Sequence, residues 1–226
     1  MRKRMLGVAM IATLTMGLLG ASPAGAAAGD AKLNVVHGIP GVTVNVCVDG
    51  VKAIPDFMPG DVVKNVVLTA GLHDFKIVAQ ASGCGGAAIL QANGVDLMAD
   101  KNYTAIANLD EAGDPALSLF TNNVTKVASG NARLTVRHTA AAPAVNVWAN
   151  GAPLIGGTDF TNGKSKTFVV PNGIYATWAS LPGDYAPVID PAVLNLKTDH
   201  AYQVYAWGNG TSGYNFAVVS LKVGSK

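Results

Sequence analysis

Two histidines stand where chemistry would first be sought. His37 lies in LNVVHGIPGVTVNVCVDG, residues 33–50, and His138 in LTVRHTAAAPAVNVWANG, residues 134–151. The two stretches align without a gap. His37 and His138, Asn45 and Asn146, and Gly50 and Gly151 each stand 101 residues apart (138 − 37, 146 − 45, 151 − 50). An imidazole can serve as base, acid or ligand near neutral pH. Catalysis also needs a nucleophile or carboxylate in reach of it. The chain has no Gly-x-Ser-x-Gly elbow, no His-Glu-x-x-His and no phosphate-cradling loop. Glu111 is its only glutamate, and aspartates such as Asp49 and Asp184 sit at turn signals, which leaves little for a paired-carboxylate mechanism. A residue repeated at equivalent places more simply serves a fold that both copies share. His37 and His138 are therefore expected to bond loop backbone beside Pro40 and Pro143, because a buried ring nitrogen must find a partner. Asn45 and Asn146 are expected to be structural in the same way. No catalytic residue is assigned. An extracellular hydrolase built on His138 and nearby aspartates is the competing class.

The other reactive side chains are Cys47 and Cys84, 37 residues apart (84 − 47). In an oxidising compartment an even pair forms one disulfide most simply. Closing a loop of that order stabilises by roughly 3–4.5 kcal/mol in the chain-entropy account. No Cys-x-x-Cys occurs and no histidine sits at ligand spacing, so neither a metal nor another cofactor is expected. Asp110-Glu111-Ala112-Gly113-Asp114 lacks the alternating oxygen ligands of a calcium loop and reads as a solvated hairpin.

Aromatic residues are unevenly spread. All three Trp and five of the six Tyr follow residue 128. The repeat aligns Trp148 with Cys47, Trp178 with Lys76 and Trp207 with Asn108. If Lys76 and Asn108 face water, Trp178, Tyr205 and Trp207 form a candidate ligand patch on an exposed strand face. Flat rings there can stack on sugars or seat a partner. The alternative packs these rings on each other, on a loop such as 181–191, or between the two copies.

The elements that must position these groups are strands. Outside the first residues, apolar and polar side chains mostly alternate, with Gly, Pro, Asn and Asp between the runs. The alternation predicts strands at 31–36, 42–48, 62–68, 73–81, 103–108 and 117–122. It predicts a second set at 133–138, 145–149, 166–170, 175–180, 202–207 and 216–223. No sustained helical period appears. An all-β chain of two tandem antiparallel, immunoglobulin-like β-sandwiches follows, since a sandwich buries one face of each sheet. The division is a signal peptide at 1–28, a first domain at 29–127 and a second at 128–226.

The leading segment reads as an export signal. Arg2, Lys3 and Arg4 precede an uncharged, mostly apolar run at 5–19 and then small residues with an Ala24-x-Ala26 pattern. The run is shorter than the ~20 residues that span a bilayer, so cleavage near 26–28 is expected, with no lasting membrane insertion. Removing three basic residues leaves 13 Lys and Arg against 14 acids, a net charge of −1 (13 − 14). No nucleic-acid partner is expected of such a chain.

The order of motifs also resembles a known family. His37-Gly38-Ile39-Pro40, Val44-Asn45-Val46 and Asp49-Gly50 are followed by Leu68-Thr69-Ala70-Gly71-Leu72-His73 and then by Asn102-Tyr103-Thr104. His138, Pro143, Val145–Val147, Gly151, Pro171–Tyr175 and Tyr202 repeat much of it. This is similar to the secreted bacterial domains of domain-of-unknown-function family 4397 (DUF4397), with patterns near V-H-x-x-P, V-D-V-x-x-x-G, P-A-G-x-[HY] and G-x-x-Y-T. The acidic residue of V-D-V is Asn45 or Asn146 here, which argues against a charge-dependent role. The resemblance implies an extracellular β-sandwich in two tandem copies, without an assigned activity. The function expected is a secreted, non-catalytic binding protein of the cell envelope or medium, with a cell-wall glycan or an envelope protein as partner. A carbohydrate-binding module using the aromatic patch is the nearest alternative.

Overall fold

The computed structural model describes residues 29–224; the expected signal peptide lies outside them. The described chain is all β. The first half holds β1 (Asp30–His37), β2 (Val44–Val48), β3 (Val51–Phe57), β4 (Val62–Thr69), β5 (Gly71–Ala79), β6 (Ala88–Leu97), β7 (Asn102–Leu109) and β8 (Pro115–Thr121). The second holds β9 (Asn131–His138), β10 (Asn146–Ala149), β11 (Ala152–Ile155), β12 (Ser165–Pro171), β13 (Gly173–Ser180), β14 (Pro187–Leu196), β15 (His200–Asn209) and β16 (Gly213–Lys222).

Each half is a sandwich of two four-stranded sheets. The first pairs β4-β1-β7-β8 with β3-β2-β5-β6, and the second pairs β12-β9-β15-β16 with β11-β10-β13-β14. All pairings between these strands are antiparallel except β1 with β7 and β9 with β15. Alternation sends Leu33, Val35, Val44, Val46, Phe75 and Ile77 into the first core. Leu134, Val136, Val145, Val147, Val204 and Phe160 fill the second.

The strand expectations hold in place and order, but four strands were absent from them: β3, β6, β11 and β14. These are the two edges of one sheet in each half. Edge strands tolerate residues that break a central strand's pattern. Pro55 lies in β3, Gly94 at positive φ in β6, Pro153 in β11, and Pro187 and Pro191 in β14. Their alternation is interrupted by the same residues that suit an edge.

The two sheets built on β1 and β9 face each other across the halves. Val36 and Ile106 from the first half pack with Tyr205, Trp207, Ala217, Val219 and Leu221 from the second. Trp207 enters a slot walled by two glycines. A methyl group at Gly38 would stand 3.1 Å from Trp207 Cβ and from the Ala107 carbonyl; one at Gly60 would stand 3.1 Å from Trp207 Cζ2. The buried Arg137 lies over the Phe120 ring at 4.0 Å and donates to Gln203 Oε1 at 3.3 Å, so it bridges the halves by its flat face.

Candidate functional site

The central strands of the second sheet carry the main difference between the halves. In the first half Cys47 on β2 stands opposite Lys76 on β5. In the second, Trp148 on β10 stands opposite Trp178 on β13. The expected Cys47–Cys84 disulfide is formed, and Lys76 Nζ donates to the Cys84 carbonyl at 2.9 Å. That bond clips the 80–86 loop over the sheet. Advancing Cys84 by the same 101 residues gives Tyr185 (185 − 84). Its ring lies 4.7 Å from that of Trp148, which also stacks on Trp178 at 5.8 Å and 11° between planes.

Three rings therefore form a ladder with Trp148 in contact with both others. Trp148 is buried, Trp178 half-buried, and Tyr185 is 71% exposed. The ladder is braced from below. Trp148 Nε1 donates to Ser180 Oγ at 2.9 Å, and Ser180 Oγ donates to the Asp184 carbonyl at 2.7 Å. Asp184 Oδ1 accepts from the backbone N–H of Tyr185 and Ala186, which fixes the turn that carries Tyr185.

The platform continues along the sheet. Pro153 pairs with Trp148. β14 bulges beside Trp178, because Thr177 pairs with Ala192 and Ala179 with Ile189, so Asp190 and Pro191 together face one residue. Exposed Ile174 and Val193 extend it; Ala176 pairs with Val193, and Ile174 with Asn195. No Lys or Arg occurs between residues 172 and 196. The surface is aromatic and apolar, carries the Asn195 amide at its margin, and has no Lys or Arg on β13 or β14.

The candidate patch of Trp178, Tyr205 and Trp207 does not form. Trp178 lies on β13, while Tyr205 and Trp207 lie on β15 in the opposite sheet and point between the halves. Tyr205 is fully buried and Trp207 nearly so. The expectation rested on Asn108 facing water. Asn108 is itself buried, because equivalent sheets of the two halves pack together and their facing layer is partly polar. Tyr185 was missed as a ring of the site, although the offset that pairs Cys47 with Trp148 points directly to it.

The histidines occupy matching corners. His37 Nε2 meets the Val42 carbonyl at 2.9 Å, and His138 Nε2 meets the Pro143 carbonyl at 2.9 Å. His37 Nδ1 accepts from the Ile39 N–H, which leaves Nε2 to carry the proton. Phe57 packs beside the first ring and Phe160 beside the second. Burial pulls both histidines below the usual pKa, against the raising effect of their bonded carbonyls. Asn45 and Asn146 tie loops the same way. Asn45 donates to the Gln80 and Ser82 carbonyls and accepts from Asp56 N–H. Asn146 donates to the Leu181 carbonyl and accepts from Gly157 N–H.

One further pair escaped the sequence. His73 bonds Asp49 at 2.7 Å and the Thr69 carbonyl at 2.7 Å. Tyr175 OH reaches the Pro171 carbonyl in the second half, four residues back as His73 does. Among the described residues no group of three or more His, Cys, Asp or Glu could hold a metal, and no helix is long and apolar enough to cross a membrane.

No curated protein matches the chain. Solved structures that resemble it include one titled "Alpha-glucan binding by a streptococcal virulence factor", at 14% identity over 82% of this chain and 96% of that one, with a TM-score of 0.28. Another is the family CBM26 module CBMbc of Eubacterium rectale Amy13K in complex with maltoheptaose, at 11% identity over 87% and 98%, also with a TM-score of 0.28. A TM-score of this size does not establish a shared fold. The profile of the domain of unknown function DUF4397 matches residues 31–148, the whole first sandwich together with β9 and most of β10. That is 118 of 226 residues (148 − 31 + 1), and the chain belongs to the DUF4397 family.

Proposed function

We propose that this is an exported, non-catalytic binding protein whose second half recognises an uncharged glycan on the Tyr185–Trp148–Trp178 ladder. The observation that carries the proposal is the placement of Tyr185, a 71% exposed ring held over a buried Trp by a braced turn. An exposed ring of this size, fixed before any ligand arrives, loses little freedom on binding. Aromatic faces take the C–H faces of sugar rings, and the exposed amide of Asn195 at the margin suits hydroxyl groups. The lack of cations favours a neutral polymer over an acidic one. In this proposal the chain is divided at 127/128 and acts in the envelope or medium after loss of its first 28 residues.

Trp emission reports directly on the site, since Trp148 and Trp178 are two of the three Trp in the chain. Titration with neutral cell-wall oligosaccharides is expected to shift and quench that emission saturably. Unchanged emission across a panel of α- and β-linked neutral glycans contradicts the proposal. The exposed Ile174 and Val193 on the same face favour an envelope protein as the second reading. That reading predicts capture of a protein partner that survives excess glycan.

A further inference from the structure

Each of the four sheets ends in two edge strands, and seven of these eight edges carry a visible protection among the described residues. The pairings of β3, β4, β6, β11 and β14 are each broken by a register shift, a device that keeps an edge from templating a foreign strand. β8 pairs in register but lies against β6, and β16 lies against β4 and β14. β12 has neither protection. Its seven residues pair with β9 without a shift, and β9 is its only extensive neighbour.

The ends of the β9–β12 ladder show which backbone groups are used. His138 N–H donates to the Lys164 carbonyl, and Asn172 N–H to the Gly130 carbonyl. Antiparallel bonds recur at alternate residues, so Lys166, Phe168 and Val170 turn their backbone groups to β9. Ser165, Thr167 and Val169 turn theirs outward, where no strand stands among the described residues. Two of these are held by their side chains: Arg137 donates to Ser165 Oγ at 3.2 Å, and the hydroxyls of Thr167 and Thr135 meet at 3.0 Å. The open stretch ends at Pro171, which has no N–H and whose carbonyl accepts from Tyr175 OH.

We infer that β12 is the contact edge of a homodimer, in which it pairs antiparallel with β12 of a second copy about a two-fold axis at Thr167. The strand is complementary to itself in that register. Thr167 meets the partner's Thr167, a favoured cross-strand pair, and Ser165 meets the partner's Val169 on either side of the axis. All three outward residues of each copy are matched, and each pair exchanges both of its backbone bonds. Sliding the second copy by two residues loses this. One direction sets Ser165 against Pro171, which has no N–H; the other sets Val169 against Gly163, whose N–H is taken by the His138 carbonyl. Charge does not oppose the pairing. The intervening positions set Lys166 against the partner's Phe168 and Lys164 against the partner's Val170, so lysine stems meet apolar side chains and no two lysines meet. β12 lies in the sheet opposite the ring ladder, so the pairing leaves Tyr185 and Trp178 open and the inference does not rest on that site.

Sedimentation equilibrium of the purified chain from about 10 µM to about 1 mM tests it. A contact of one strand from each copy buries little apolar area, so a monomer–dimer equilibrium with a Kd on the order of 0.1 mM is expected. Thr167→Pro removes the central outward N–H without touching a bond to β9, and should weaken dimerisation at least tenfold. Thr167→Lys keeps that N–H but sets like charges face to face across the axis, and should weaken it as much. The exposed Val169, changed to Lys, meets Ser165 instead, and Val169→Lys should weaken it less than threefold. Circular dichroism of the dilute variants checks that each is folded. A short bismaleimide should join T167C copies, whose Cα atoms stand about 5.5 Å apart across the axis, and leave S212C, on the β15–β16 turn, unjoined. A parent that stays monomeric throughout the range overturns the inference and leaves this edge to a strand of another protein. A dimer that Thr167→Pro and Thr167→Lys form as tightly as the parent also overturns it, as does equal joining of T167C and S212C.

Discussion

Tyr185 lies over Trp148, ring centroids 4.7 Å apart, at the two positions that the Cys47–Cys84 disulfide occupies 101 residues earlier. A covalent clip in one half is matched by a ring contact in the other. The loop above the sheet is held in both halves, but only in the second does the holding residue present an aromatic face to water.

The disulfide should matter chiefly to the first half. Cys47→Ala together with Cys84→Ala is expected to lower unfolding stability by up to about 4 kcal/mol, the chain-entropy value for a 37-residue separation. Denaturant unfolding followed by far-ultraviolet circular dichroism checks this. An unchanged midpoint would contradict it.

The repeat also predicts that the second half can accept the clip. In W148C/Y185C the new thiols should pair without disturbing Cys47–Cys84, as matched positions share backbone geometry. Intact mass after alkylation is expected to show no free thiol. Two alkylated cysteines would mean the loops above the two sheets differ in height.

Acid and base act on different histidines. Burial sets His37 and His138 below 6.5, so the stability they contribute is present above that pH and lost as pH falls through their folded values. Burial also lowers His73, but the Thr69 carbonyl and Asp49 outweigh it and raise the group overall. Its contribution is present below 6.5 and lost as pH rises through the folded value. Asp49 is lowered by the Asp74 N–H and then by His73, and its contribution disappears only as pH falls through a folded value below 3.8. Stability measured in denaturant should therefore fall less steeply below pH 6.5 in His138→Gln than in the parent. His73→Gln should lose the gain the parent shows on acidification towards pH 6.5 from above.

Trp207 locks the halves together. Trp207→Ala should cost about 3–5 kcal/mol, the range for emptying a large buried aromatic site. Gly38→Ala should cost about 1–3 kcal/mol, since its methyl group meets both a backbone carbonyl and Trp207 and the slot must open to take it. Thermal melts read both changes. The equivalent of Gly38 is Thr139, whose hydroxyl donates to the Ala206 carbonyl at 2.8 Å, so no slot exists there to be filled.

Much of the fold was legible because its central strands alternate cleanly. Val44, Val46 and Val48 point one way, and the matching Val145 and Val147 do the same in the second copy. The edge strands were not legible, as Pro55, Pro153 and Pro191 interrupt the period that marks a strand. The site was half legible. A ruler of 101 residues placed Trp148 on Cys47 and Trp178 near Lys76, and both alignments hold in the strand register. The exposure of Tyr205 and Trp207 could not be read from it. Which sheet of a sandwich faces water depends on how the two halves dock, and the buried Asn108 looks like a surface residue in any local window.

The most direct measurement is retention of the chain, Tyr185→Ala and Trp178→Ala on immobilised neutral cell-wall glycans, with Tyr205→Phe as the buried control. The proposal predicts that the parent and Tyr205→Phe are retained alike, and that each of the other two binds at least tenfold more weakly, about 1.4 kcal/mol. Equal retention of all four, or of none, would contradict recognition at the ring ladder.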